Sequence, residues 1–400
     1  MSWQAKSLDE LGFVSRGRSR HRPRDAAHLY GGPHPFVQTG DVKHAGLYLR
    51  EYSQTYSEAG LEQSRMWPVG TLCITIAANI ADTAILDIEA CFPDSVIGFI
   101  PDKDKADARF VKYLFDAMLK KQFKQFTQGA AQDNLSQGKL LSLKFPIPPI
   151  SLQQRIASIL SAYDDLIENN RRRIQLLEQT ARLLYKEWFV HLRFPGHEHV
   201  KIKDGVPEGW EDTFLPDVID VNPKTPVEKG KEILYVPMSA LSEAGMTADI
   251  RDFEWRTTHT TVKFKKNDVL LARITPCLEN GKTGFAYFLG DSEIACGSTE
   301  FIVLRGSRVS PVFTYCLARS YPFWGNAIKS MIGSSGRQRV QVSCFDEYKV
   351  PLPPKHLLDM FDEIANKTFD QIRILVAQND KLAKARDLLL PKLMNGEIAA

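Results

Sequence analysis

The chain carries little of what marks a secreted, membrane-bound or zinc-dependent protein. Its six cysteines, Cys73, Cys91, Cys277, Cys296, Cys316 and Cys344, stand without any C-x-x-C spacing. That scatter argues against a zinc site and offers no disulfide framework, so all six are expected as buried thiols. No apolar run approaches the roughly 20 residues of a membrane span. The opening Met1-Ser2-Trp3-Gln4-Ala5-Lys6 lacks the apolar stretch of a signal peptide. The expected setting is cytoplasmic, with no membrane partner. Charge of one sign is scarce too, since 51 Lys and Arg against 48 Asp and Glu leave +3. Nucleic-acid binding must therefore rest on local clusters.

Catalytic constellations are missing as well. Gly281-Lys282-Thr283 resembles the tail of a phosphate-binding loop, but Pro276 stands where that loop needs glycine, and Asn280-Gly281 reads better as a hairpin turn. Asn222-Pro223 is followed by Lys224, where an amino-methyltransferase motif needs another proline. No His, Asp and Glu cluster has nuclease or metal-ligand spacing. Neither a catalytic residue, a metal nor a cofactor is assigned to this chain.

What the chain does have is a duplication. Phe145-Pro146-Ile147-Pro148-Pro149 precedes a heptad-patterned stretch from Ser151 to Val190, and Val350-Pro351-Leu352-Pro353-Pro354 precedes another from His356 to Met394. Repetition dictates architecture, here two halves each closed by a long helix. Ile156, Leu160, Tyr163, Ile167, Asn170, Ile174, Leu177, Ala181, Leu184 and Trp188 step by four and three, as a coiled-coil seam does. Leu358, Phe361, Ala365, Thr368, Ile372, Leu375, Asn379, Leu382, Arg386, Leu389 and Leu393 step likewise. The prolines set the helix starts, and Pro195-Gly196 ends the first helix. About 40 residues at 1.5 Å rise make a rod of about 60 Å. Asn170 and Asn379 either lie buried and set the register or sit solvated at the seam's edge.

Each half reads as one α/β domain. Strands are expected at 72–76, 96–100, 233–236, 269–273 and 300–304, with helices at 108–126 and 312–331. A chain with 44% hydrophobic residues can bury more than one core of this size.

Polar and basic groups gather in the loops. Between Glu10 and Asp25 lie five arginines and no acid; Arg16, Arg18 and Arg20 alternate on a Gly- and Ser-interrupted segment. Such arginines suit phosphate contact and guanine reading, the plainer alternative being a solvated loop. Gln38, Thr39, Asp41 and Lys43 end an apolar strand with groups that can read adenine, cytosine or guanine, although alone they read equally as a strand-to-turn transition. The second half offers Arg273 and Thr275, then Ser335, Arg337, Gln338 and Arg339 in a Gly-rich loop; the matching loop of the first half holds Gln132 and Asn134. All fifteen are candidate DNA contacts.

Three further segments sharpen the reading: Pro146-Ile147-Pro148-Pro149-Ile150-Ser151-Leu152-Gln153-Gln154-Arg155-Ile156-Ala157, Leu184-Tyr185-Lys186-Glu187-Trp188-Phe189, and Arg386-Asp387-Leu388-Leu389-Leu390-Pro391-Lys392-Leu393-Met394-Asn395-Gly396-Glu397-Ile398. With these the chain resembles, over essentially its whole length, the specificity subunit of Type I restriction-modification enzymes. The resemblance implies an α/β (α+β) fold with a pseudo-twofold internal repeat. Two target-recognition domains, at 1–148 and 194–350, would be separated by spacer helices at 149–193 and 351–400 forming an antiparallel coiled coil. Each domain would read half of a split, asymmetric double-stranded DNA site, and the helices would set its spacer. It implies two methyltransferase subunits and motor or endonuclease subunits as partners, with S-adenosylmethionine, ATP and Mg2+ used there and not here. One departure stands out: Lys355-His356-Leu357-Leu358-Asp359-Met360 lacks the Gln-Gln-Arg of the first repeat. If that segment contacts the methyltransferase, the two docking sites are not equivalent.

Overall fold

The computed structural model describes residues 3–77, 80–228, 230–258 and 260–398 except 127–134, and of 119–126 the backbone alone. The chain divides into two compact units, one made of residues 1–169 with 378–400, the other of residues 170–377. Each unit thus takes part of both long helices.

In the first unit, strands Gly12–Arg16, Val96–Pro101, Leu72–Thr75, Thr83–Leu86 and Tyr48–Leu49 form a five-stranded sheet in that order, all antiparallel but for the last pair. A second sheet runs Gln54–Tyr56, Tyr30–Phe36, Ala90–Cys91, Met66–Trp67, with its middle pair parallel. Gln4–Lys6 pairs with Phe145–Ile147, bringing the start of the chain to the Pro-rich junction.

The second unit repeats this order, but without a counterpart of Tyr48–Leu49 among the described residues. One sheet runs Ile219–Val221, Phe301–Gly306, Val269–Ala272, Thr283–Phe285; the other runs Glu254–Arg256, Ile233–Val236, Ile294–Gly297, Val262–Lys265, again parallel in the middle. Glu211–Phe214 pairs with Lys349–Leu352 at the second junction. The duplication seen in the Pro-Pro segments therefore extends through both domains.

One expected helix differs. Ala108–Phe126 is a single helix, whereas 312–331 is two, Pro311–Ala318 and Tyr321–Lys329. Ser320 stands at the cap position, without a side-chain capping bond, and Pro322 sits in the first turn of the second piece, where proline is tolerated as a start but not as an interior residue. The cysteines also differ in part: Cys73, Cys91, Cys296 and Cys316 are buried, but Cys277 and Cys344 only half so.

The central helix, Ile150–Tyr185, is followed by a π-helical turn, Lys186–Val190, and the C-terminal helix is Lys355–Met394. Within each unit the two pack antiparallel. In the first, Asn379 Nδ2 donates to the Ile167 carbonyl and Arg386 pairs with Asp164, so numbers fall on one helix as they rise on the other. In the second, Tyr185 and Trp188 face Phe361, with centroids 6.1 and 6.3 Å apart, at the start of the C-terminal helix. Asn170 is buried and Asn379 half-buried. The second seam departs from its expected spacing at one place: Phe369 is buried and Thr368 turns half outward, its hydroxyl donating to the Ile364 carbonyl. Burying an aromatic ring is worth more than burying a hydroxyl that must find a partner.

In each unit a carboxylate of the central helix ties the domain to it, partly buried in the first and buried in the second. Asp164 accepts from the Tyr113 hydroxyl at 2.5 Å in the first unit. Burial, and then the neighbouring carboxylate, hold that hydroxyl well above the usual tyrosine range, so it stays a donor. In the second unit Glu178 accepts from the Met246 backbone N–H at 2.8 Å and the Tyr315 hydroxyl at 2.6 Å.

Candidate nucleic-acid interface

In the first unit the arginine segment is tied down through its backbone. Arg18 N–H donates to the Phe92 carbonyl, Ser64 Oγ to the Arg18 carbonyl, and Gln63 Oε1 accepts from the N–H groups of Arg20 and His21. The guanidiniums divide. Arg16 donates to the Asp94 carbonyl at 2.7 Å, Arg22 to the Ser19 and His21 carbonyls, and Arg24 pairs with the Asp94 carboxylate at 2.8 Å. Arg18 and Arg20 are exposed, and their side chains have no partner among the described residues. Neutral groups fix the backbone at Arg18 and Arg20, which leaves two alternate charges for an outside anion.

Gln38 to Lys43 lie beside this segment. Val37 N–H bonds to the Cys91 carbonyl, one residue from the carbonyl that holds Arg18. Gln38 caps the short helix Thr39–His44, and Asp41 Oδ2 accepts from Gln38 N–H at 2.7 Å and Ser53 Oγ at 3.2 Å. The Gln38 amide donates to Gln54 Oε1 at 2.5 Å. The Asp41 carboxylate is therefore committed to capping, while Thr39 and Lys43 keep unpartnered side chains among the described residues. Gln132 and Asn134 lie outside the described residues.

In the second unit the structure brings both candidate segments together. Thr275 N–H donates to the Gln338 carbonyl, Gln338 N–H to Thr275 Oγ1, each at 3.0 Å, and Val340 N–H to the Arg273 carbonyl. Arg273 Nη2 reaches the Val340 carbonyl at 3.2 Å. Arg339 forms a bidentate pair with Glu300, which raises its pKa. That leaves Ser335 and Arg337 exposed at the loop tip without side-chain partners among the described residues. Gly333 is required there: its φ is +140°, and a Cβ would stand 2.9 Å from the Arg337 carbonyl oxygen.

Sequence reading passed over Trp255, which is 65% exposed on edge strand Glu254–Arg256. Its signal was an aromatic between two charged residues on an alternating strand. It also left Gln153 as part of a docking signature. The structure buries this side chain instead, donating to the Lys105 and Pro148 carbonyls at 2.9 Å and accepting from Asp107 N–H at 3.1 Å. Gln154 and Arg155 are exposed. The missing glutamine of the second repeat thus concerns internal structure: Leu358, four residues past the second proline, takes its place. Along both helices apolar side chains face outward, among them Ile159, Leu166, Leu176, Leu183, Ile364 and Ile374. Among the described residues no group of three or more His, Cys, Asp or Glu could hold a metal ion, and no helix is long and apolar enough to cross a membrane.

Two units of related sheet order, with guanidiniums left unpartnered on loops, Arg18 and Arg20 in the first and Arg337 in the second, define a duplicated recognition protein. The profile of the Type I restriction modification DNA specificity domain matches residues 1–179 and again 207–368. The MjaIX specificity subunit of Methanocaldococcus jannaschii is 23% identical over 99% of this chain and 93% of its own length. The putative MjaX specificity subunit of the same organism is 32% identical over 74% and 70%, and the EcoEI specificity subunit of Escherichia coli is 32% identical over 37% and 26%. The crystal structure of the S subunit from M. genitalium aligns over 98% of this chain and 96% of its own, with a TM-score of 0.54 at 15% identity, which supports the fold. The chain belongs to the Type I restriction-modification specificity subunits, the DNA-recognition components of such systems.

Proposed function

We propose that each unit reads one half of a bipartite, asymmetric DNA site, and that the two helices set the spacer and dock two methyltransferase subunits. The observation that carries this reading is the pairing of one fold, present twice, with guanidiniums that find no internal anion, Arg18 and Arg20 in the first unit and Arg337 in the second. Phosphate contacts would position each unit, while neighbouring polar groups such as Thr39 and Gln338 would reach base edges. The outward apolar residues of the helices suit protein docking.

Chemistry belongs to the partners. Methylation of a flipped adenine from S-adenosylmethionine would fall to the methyltransferase subunits. ATP- and Mg2+-dependent translocation and cleavage of unmodified DNA would fall to the motor and endonuclease subunits. This chain directs both and catalyses neither. Its domains would span 1–148 and 194–350, with spacer segments 149–193 and 351–400.

The test is co-expression with a cognate methyltransferase subunit in an unmethylated host, followed by genome-wide mapping of modified adenines. One split motif with a fixed spacer is the expected result. Exchange of residues 1–145 should alter one half-site only, and lengthening the helix near residue 190 should alter the spacer only. A stoichiometric complex that modifies no defined motif would mark the chain as a scaffold and refute the reading.

A further inference from the structure

We infer that Arg65, outside every segment singled out above, is a preset contact for the phosphodiester backbone of duplex DNA; the inference rests on the recognition reading just given. Arg65 leads into strand Met66–Trp67. Its guanidinium stands 4.3 Å from the Trp67 ring centroid and 4.8 Å from that of Phe13. Trp67 is fully buried and stacked on Phe92, centroids 4.7 Å apart. It fits there because Gly98 has no side chain: a Cβ would come within 2.5 Å of the indole. Phe13 is 48% exposed on strand Gly12–Arg16. One rigid ring and one surface ring thus hold the guanidinium while its N–H edge stays open.

The absence of an anion distinguishes Arg65 from other stacked arginines here. Arg256, 3.4 Å from the Tyr235 centroid, pairs with Glu254 at 2.6 Å. Arg50, 5.5 Å from the Tyr48 centroid, pairs with Asp87 at 2.6 Å. Arg65 has no carboxylate or carbonyl partner among the described residues. An ordered, unneutralised cation is set for an anionic ligand.

The neighbourhood points to a polyanion. Gln63 and Ser64, the two residues before Arg65, are those that hold the backbone of Arg20 and Arg18. The chain segments that carry these three unpaired guanidiniums therefore lie side by side, which suits repeating phosphates better than one small anion. The contact belongs to the first unit only. In the second unit Lys263 pairs with Cys296 as Met66 pairs with Cys91, so Val262 falls where Arg65 does. Such a contact would strengthen and orient binding without reading a base.

The experiment measures binding of the full chain to a fluorescently labelled mixed-sequence duplex across a salt series. Arg65→Ala should lose affinity roughly tenfold near 0.1 M salt, and the slope of log affinity against log salt should flatten by about 0.9, the value for one B-DNA phosphate. Arg65→Gln, which keeps a planar group over the rings, should do the same even if the alanine variant is unstable. Arg65→Lys should keep the slope, and the methylated motif should be unchanged in all three. A wild-type slope in Arg65→Gln would overturn the assignment, as would an altered motif, which would make Arg65 a base reader. Inorganic phosphate abolishing the difference at matched ionic strength would mark a free-anion site instead. No binding by the wild-type chain at low salt would sink the recognition reading itself.

Discussion

Replacing Glu178 by leucine tests how the second domain is fastened to the central helix. The Glu178 side chain is 4% exposed, and Arg182 Nη1 lies 4.0 Å from it. It accepts from two buried donors, Met246 N–H and Tyr315 O–H, at 2.8 and 2.6 Å. Both donor residues are completely buried. Leucine matches the volume but leaves both donors without an acceptor, at about 1–3 kcal/mol each. Relief of the carboxylate's own desolvation offsets part of this, so a net loss of about 3 kcal/mol is expected. For a unit of this size that lowers the midpoint by about 6–12 °C. Glu178→Gln keeps an acceptor and should lose less than half as much. Calorimetry gives the midpoint, and hydrogen exchange at residues 241–248 reports whether the loosening is local. A leucine variant within about 1 °C of wild type would refute the reasoning, because the two donors would then have found other partners. A double-mutant cycle with Tyr315→Phe should show coupling of about 1–2 kcal/mol.

Three further outcomes are expected. Changing Arg16, Arg18 and Arg20 together to alanine should weaken duplex binding, more at low salt than at high salt, in a gel-shift series; within that set Arg18 and Arg20 should account for most of the loss, because Arg16 is held by the Asp94 carbonyl. Gln153→Leu should destabilise the first unit by about 2–4 kcal/mol in denaturant unfolding, since it strands the Asp107 N–H and the Lys105 and Pro148 carbonyls. Phe361→Ala should cost about 3–5 kcal/mol in the second unit, where this fully buried ring meets Tyr185, Trp188, Phe189 and Phe313.

Much of the architecture was legible because it rests on local rules. Proline pairs mark both helix starts, alternating spacing marks the seams, and short apolar runs mark the strands. Where two local signals competed, spacing alone chose wrongly. The three-four pattern favours Thr368, but the neighbouring Phe369 offers more apolar surface, and only the core opposite settles which one turns inward. The run from 312 to 331 looks like one helix by hydrophobicity, yet Pro322 starts a second.

The candidate interface divides in the same way. The order of residues alone shows a cluster of arginines between Glu10 and Asp25, and the duplicated Pro-rich junctions alone predict two domains on two helices. Tertiary structure decides which charges remain available. Asp94, 78 residues along from Arg16, holds that guanidinium through its carbonyl and pairs its carboxylate with Arg24, leaving Arg18 and Arg20 open. Glu300, 39 residues from Arg339, takes that guanidinium and leaves Arg337. Phe13 and Trp67 form a platform under Arg65 that no spacing announces. Helix and strand patterns depend on residues a few positions apart, so a sequence displays them. Whether a charge is paired or free depends on groups that meet only when the sheets close, so the fold alone determines it.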